Sequence, residues 1–138
     1  MSETSTFLLD IVTPERKVFS GQAELAIFPG ADGEFGILPH HAAMVSALNP
    51  GEIKVNREQK SEYFAIYGGF LEVRDNGVTV VADTAEPAAE IDIQRAQHSK
   101  DAALDAISNS DGTMTGQQAA AQIKRAEARL KVAQRAVK

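Results

Sequence analysis

The residues of this 138-residue chain whose types and spacing invite chemistry are three histidines, two of them adjacent, and a glycine-rich stretch with two acids. That stretch is FPGADGEFGILPHH, Phe28 to His41, and it offers a phosphate cradle, a metal site or a shaped turn. A phosphate loop needs Gly-Lys-Ser/Thr after its glycines and a helix opening behind them, and neither follows Gly36. His40 and His41 point in different directions on an extended chain, and no third ligand stands at a helical spacing from either; His98 is remote. There is no cysteine, hence no thiolate and no disulfide, and no serine lies in a nucleophile-elbow context. No catalytic residue and no metal ligand is assigned. The remaining use of the glycines is conformational, giving positive φ where the chain reverses in a tight loop. Its tip would carry a charged handle at Glu34 and apolar handles at an exposed Phe35, Ile37 and Leu38, which makes it a docking point.

Something must hold that tip. With 43% apolar residues the chain has enough to build a core, so disorder is excluded as its main state. Residues 6 to 83 read as short strands separated by turn residues. TFLLDIV partly alternates, AELAIFP ends at Pro29-Gly30, and EYFAIYGGFLEVRDNGVTVVAD holds strand runs broken at Gly68-Gly69 and at Asn76-Gly77. Asn-Gly is the strongest local signal, because both residues tolerate the positive φ of a tight hairpin turn. Many short strands at this spacing point to a sandwich or barrel.

After Asp83 the sequence turns alanine-rich and helical. From Pro87 to Ser108, Ile93, Ala96, Ala103 and Ile107 share a face that Lys100 interrupts. From Gln117 to Val137 a seam of Ala119, Ile123, Ala126, Leu130, Ala133 and Val137 steps by alternating fours and threes, suited to one partner helix. Between the two, Asp111-Gly112 is a stop and Thr115 with Gln118 a capping box. The fold class is thus α+β: an N-terminal antiparallel β-sandwich over 1–86, then a C-terminal antiparallel helical hairpin over 87–138. Alanine seams bury little, since each CH₂ contributes only about 0.8 kcal/mol, so the hairpin needs docking against something else.

Charge divides the same way. From Gln117 onward Lys124, Arg125, Arg129, Lys131, Arg135 and Lys138 face the single acid Glu127, giving +5; against a total of −5, the first 116 residues carry −10. The basic helix is either a solvated face or a surface for an anionic partner. No stretch approaches the roughly 20 apolar residues that span a bilayer.

Taken together, Phe19-Ser20-Gly21, the run Gly33 to Pro39 with His41-Ala42, Asn49-Pro50-Gly51, Gly68 to Val73, Val78 to Val80 through Ala82-Asp83, and Ile91-Asp92 with Arg95-Ala96 make the chain resemble the epsilon subunits of bacterial F-type ATP synthases along essentially its whole length. The resemblance implies a non-catalytic rotor subunit, peripheral at the cytoplasmic face of the cell membrane. Its sandwich would couple the gamma subunit to the c-subunit ring, and its mobile hairpin would inhibit ATP hydrolysis. Glu34, Phe35 and Gly36 match c-ring contacts, and His41 and Ala42 match gamma contacts, with Ala43 where proline is common. In the extended state Arg125, Arg129 and Arg135 would approach the alpha and beta subunits; no nucleic acid partner is implied.

Some members bind ATP on the folded hairpin. Glu86, Ile91, Asp92, Arg95, Ala96, Arg125 and Arg129 match that set, while Ala102 stands where an arginine is expected. The missing contact would cost about 1.5 to 3 kcal/mol. No cofactor is required; the set either takes ATP as a regulatory ligand or serves as a helix start at Asp92 with Arg95 and Arg125 as surface or inter-helix charges. The alternative reading is a stand-alone β-sandwich nucleotide-sensing module, which would purify without a gamma-type partner.

Overall fold

The structure, a computed structural model, describes residues 5–109, 112 and 114–136. The strands are β1 (Phe7–Val12), β2 (Lys17–Ala23), β3 (Leu25–Gly30), β4 (Gly33–Ile37), β5 (Met44–Arg57), β6 (Lys60–Arg74), β7 (Gly77–Ala82) and β8 (Ala85–Pro87). A 3₁₀ turn, Ala88–Glu90, leads to α1 (Ile93–Asn109) and α2 (Gly116–Ala136). Hydrogen-bonded order runs β2-β1-β7-β6-β5-β3-β4, with β8 added to β6. Every pairing is antiparallel except β1 with β7, which is parallel, so the sandwich is mixed at one seam.

Two long strands build both layers. β5 and β6 pair along their whole length, from Met44 opposite Val73 to Arg57 opposite Lys60. The half of β6 beyond Gly69 adds β7 and then β1 and β2; its other half adds β8, while β5 adds β3 and β4. Phe64 and Ile66 point into the core, and so do Leu71 and Val73, so the inward positions change from even to odd between them. That phase change falls on Gly68 and Gly69, at φ 106° and 147°. The expected break at Gly68-Gly69 is therefore a bend within one continuous strand.

The core between the layers is apolar throughout, with Phe7, Leu9, Ile11, Phe28, Ile37, Ile53, Val55, Ile66, Leu71 and Val80 fully buried. The β6–β7 turn differs from the sequence expectation by one residue. Arg74 pairs with Gly77, and the positive φ falls on Asp75 and Asn76, not on Gly77. Glu58 and Gln59 form a matching two-residue turn, with positive φ, that carries no glycine to announce it.

Thr115 and Gln118 form the predicted capping box: Gln118 N donates to Thr115 Oγ1 at 3.0 Å and Thr115 N to Gln118 Oε1 at 2.8 Å. Asp111 and Val137 lie outside the described residues. On α1 the buried face is Ala96, Ala103 and Ala106, while Ile93 and Ile107 are exposed. The seam is thus rotated from the expected one toward its smallest residues, because alanine lets the two helices approach. Lys100 spans the seam to Glu127 at 3.5 Å, and Gln122 Nε2 donates to the Ser99 carbonyl at 2.8 Å. On α2, Ala119, Ala126 and Ala133 are buried as expected, but so are Ala128 and Val132 on a second face.

Candidate functional site

That second face of α2 explains where the hairpin docks. In β6 the residues alternating with the core positions, Tyr63, Ala65 and Tyr67, point outward, and with Ile91, Ala128, Val132 and Ala133 they close a small apolar cluster. α2 lies across β5 and β6, and α1 leans chiefly on α2. Two arginines flank the cluster. Arg129 Nε donates to Glu86 Oε1 at 2.7 Å with its guanidinium over the Tyr67 ring at 4.6 Å, and Tyr67 Oη donates to the same oxygen at 2.8 Å. Arg135 grips Glu52 through Nε at 3.0 Å and a terminal nitrogen at 3.2 Å, over the Tyr63 ring.

These contacts set the ionisation of the docking groups. Burial, then the hydrogen bond to Glu86, pushes the Tyr67 phenol well above its ordinary value, which keeps it a donor. Burial works against the Arg129 charge, but Glu86 and Tyr67 outweigh it and the cation is held more firmly than usual. The Glu52 hydrogen bonds hold the Arg135 cation in the same sense.

Beside the first latch a cleft of about 560 Å³ opens between the sandwich and the hairpin. Its sandwich wall is Thr13, Glu15, Arg16 and Asp83 to Glu86; its hairpin wall includes Asp92, Arg95, Ala96 and Arg129, with Glu90 at the turn between. Asp92 caps α1, accepting from Arg95 N at 3.0 Å through Oδ1, and this fixes the first turn of α1, with Arg95 and Ala96, along the cleft wall. Of the residues matched to nucleotide binding, Glu86, Asp92, Arg95, Ala96 and Arg129 line this cleft. Ile91 lies beneath, in the apolar cluster. Arg125 lies apart, in a shallow depression with Met114, Gln118, Ala121 and Gln122. Thr13, Arg16 and Tyr67 went unnoticed in the sequence; the signal for the first two was Thr13-Pro14, a turn that throws Arg16 across the cleft. Among the described residues no group of three His, Cys, Asp or Glu is placed to hold a metal ion.

The glycine-rich stretch is a strand hairpin, not an irregular loop. Gly30 pairs with Gly33 and Phe28 with Phe35, around Ala31 and Asp32. Of its glycines only Gly33 has positive φ, 129°. Gly30 serves close approach: a Cβ there would come within 2.7 Å of the Phe35 ring. Phe35 is accordingly half-buried against Phe28, centroids 5.8 Å apart, and not the exposed handle expected. Glu34 and Gly36 are exposed on the strand, as is Leu38 beyond it, whereas Ile37, also expected as an apolar handle, is fully buried in the core.

His41 and Ala42 belong to the segment 38–43 leading into β5, His41 half-buried and Ala42 exposed. Asn76 ties this segment down, its Oδ1 accepting from His40 N at 2.7 Å while its Nδ2 donates to the Thr6 carbonyl at 2.9 Å. Next to it, the outer face of the β1–β7–β6–β5 layer carries a cross-strand row. Val12 pairs with Val81, Val81 with Phe70, and Phe70 with Ala47. Phe70 is 61% exposed and Val81 53%, with Val45 at 70% nearby. One outer face of the sandwich is thus covered by α2, and the other carries this open apolar row beside a polar one, Asp10, Thr79 and Glu72.

A sandwich that covers one face with its own helices and leaves an apolar row open on the other defines a β-sandwich domain with a helical appendage. The family model for the ATP synthase delta/epsilon chain beta-sandwich domain matches residues 6–88, and that for the long alpha-helix domain matches residues 89–134. The chain is 46% identical over 130 residues to the ATP synthase epsilon chain of Dehalococcoides mccartyi, covering 92% of this chain and 91% of that one. With the epsilon chain of Nitrosococcus oceani it shares 40% over 131 residues, 94% of each. Its fold is similar to a chain in the cryo-EM structure of Euglena gracilis mitochondrial ATP synthase, OSCP/F1/c-ring, with TM-score 0.77 and 23% identity over 97% of this chain and 84% of that one. The chain belongs to the ATP synthase delta/epsilon family, on its epsilon-chain side.

Proposed function

We propose that this chain is a rotor subunit in the central stalk of an F-type ATP synthase, coupling ion translocation to ATP synthesis while its hairpin restrains ATP hydrolysis. The observation that carries the reading is the open apolar row Val12, Val81, Phe70 and Ala47 on the face opposite the hairpin. A contiguous apolar surface rimmed by polar residues marks a protein contact. A gamma subunit laid on this face covers the row and meets His41 and Ala42 beside it. The β3–β4 hairpin, with Glu34 and Gly36 exposed on its strand and Phe35 bracing them from the core side, then meets the polar loops of the c ring. Membership of the delta/epsilon family and a fold likeness to a chain from an assembly described as F1 with a c-ring support the central-stalk reading. The subunit works without catalytic residues of its own, as a peripheral component on the cytoplasmic face of the membrane.

The hairpin suits a brake. It is held by small alanine contacts and two ion-pair latches, so it can be released as a unit and offer Arg125, Arg129 and Arg135 to the alpha and beta subunits. Exposed pairs contribute only about 0 to 1 kcal/mol each, so the brake acts through several at once. Truncation at Glu90 in the assembled enzyme tests this: ATP hydrolysis rises while gamma and the sandwich still co-purify. Unchanged hydrolysis refutes the brake, and a sandwich that purifies without gamma refutes the stalk.

The cleft supports a second role, ATP as a regulatory ligand between Glu86, Asp92, Arg95, Ala96 and Arg129, with Ile91 underneath and Arg125 outside it in its own depression. Its volume, about 560 Å³, lies in the usual range for small-molecule sites. Titrating the chain with ATP, with and without magnesium, decides it; no binding at millimolar nucleotide ends the proposal.

A further inference from the structure

The cleft is lined by three arginines, and they come from three different elements. Arg95 stands on α1 and Arg129 on α2, while Arg16 comes from the turn between β1 and β2, on the sandwich wall. We infer that Arg16 is a phosphate-binding residue of this cleft, so that a nucleoside triphosphate held there clips the hairpin to the sandwich. The inference rests on the reading that the cleft takes ATP, and it adds a residue that the hairpin motif does not contain.

Charge gives the third arginine its value. Glu15, Asp83, Glu86, Glu90 and Asp92 put five carboxylates around the cleft against these three cations. Each guanidinium that faces the ligand offsets part of the repulsion a polyphosphate meets in such a site. The hairpin alone cannot supply a third, because Arg125 lines a separate depression and position 102 is alanine.

Arg16 is prepared for the task. Its backbone is clamped in a closed turn: Thr13 N donates to the Arg16 carbonyl at 2.9 Å, Thr13 Oγ1 donates to the same carbonyl at 3.2 Å, and Arg16 N donates to Thr13 Oγ1 at 3.3 Å. The guanidinium reaches across to Glu90 at 3.1 Å, and both side chains remain more than half exposed, at 54% and 57%. An ion pair this open is weak and exchanges readily for phosphate, to which a planar guanidinium can donate two parallel hydrogen bonds. Arg129 differs, being partly buried and stacked on Tyr67. The ligand would therefore move Arg16 off Glu90 while Arg129 keeps α2 in place.

The experiment is calorimetric titration of the full chain with magnesium-free ATP, in wild type and in Arg16→Ala, Glu90→Gln and Lys17→Ala. Arg16→Ala should weaken binding roughly ten- to a hundredfold, the loss of one charge-assisted contact. Lys17→Ala removes the same charge one residue on, outside the cleft where Lys17 faces Asp10, and should stay within about threefold of wild type. Glu90→Gln breaks the same ion pair but frees Arg16, so it should bind at least as tightly as wild type. In hydrogen exchange, saturating ATP should slow α1 and α2 in wild type and much less in Arg16→Ala. Equal affinity of Arg16→Ala and wild type overturns the inference, and so does a Glu90→Gln loss as large as that of Arg16→Ala. A wild type that binds no ATP removes the underlying reading together with this one.

Discussion

Glu86 and Arg129, 43 positions apart in sequence, meet at 2.7 Å, and the Glu86 oxygen that receives Arg129 Nε also receives the Tyr67 hydroxyl at 2.8 Å. One carboxylate oxygen thus joins the strand bearing Tyr67 to the helix bearing Arg129. The side chains of Glu86 and Arg129 are each about 30% exposed, so solvent screens part of the attraction. Glu86→Gln keeps the shape and removes the charge, and Glu86→Ala leaves both donors without their acceptor. Destabilisation should be about 1 kcal/mol for the first and about 2 kcal/mol for the second in urea unfolding. Hydrogen exchange should show the loss in α2 before β6; α2 protection equal to wild type would rule out a latch at this point.

The same contact gives the docked hairpin an alkaline limit. Burial first, and the hydrogen bond to Glu86 second, raise the Tyr67 pKa above its ordinary 10.0. The folded chain therefore holds the phenolic proton more tightly than the unfolded chain does. The resulting stability is complete below about pH 10 and is lost as the pH rises beyond it, because the unfolded phenol ionises first. Tyr67→Phe should lose about 1 kcal/mol at neutral pH and show a shallower decline between about pH 10 and 11 than wild type. Parallel declines in the two proteins would refute the assignment.

At the far end of α2 the second latch depends on geometry as much as on charge. Arg135 presents two nitrogens to the two oxygens of Glu52, a fork that a lysine cannot reproduce. Arg135→Lys should therefore raise hydrogen exchange in the last turn of α2 nearly as much as Arg135→Ala. Raising salt should have the same effect on wild type, because Arg135 is solvent-accessible and its pairing is screened. If Arg135→Lys matches wild type at low salt, the fork is irrelevant and simple charge attraction holds the helix end.

What could be read from the sequence follows the range of the interactions concerned. The Thr115–Gln118 box and the Asp92 cap on Arg95 lie within one turn of helix, and the residue types announce them. Alternation identified the strands, but Gly68-Gly69 looked like a boundary because the pairing of β6 with β5, which carries the strand through the bend, is set by residues some twenty positions away. Phe35 looked exposed between Glu34 and Gly36; its cover is Phe28, directly across the β3–β4 pair. In the cleft, Glu86 and Arg129 were legible through family likeness. Arg16 and Tyr67 were not, since their roles arise only when the hairpin folds back on the sandwich.

Gly69 gives the bend its sharpest test. At φ 147° it adopts a backbone conformation that L side chains rarely reach, and an added Cβ would lie 2.3 Å from the Val81 carbonyl oxygen and 2.9 Å from the Ala82 Cα. Both obstacles are backbone of the neighbouring strand β7, so no side-chain rotation relieves them. β7 must move, and Val80 and Ala82 leave their places in the core with it. Gly69→Ala should destabilise the chain by about 3 kcal/mol or more, from overpacking and backbone strain together. Gly112 also has positive φ, 78°, but an added Cβ there meets nothing, so Gly112→Ala carries strain without a clash and should cost about 1 kcal/mol. Thermal denaturation of the two variants side by side separates the effects: equal melting points would mean that β6 tolerates a side chain at its bend and that the close approach to β7 is not what fixes the two layers.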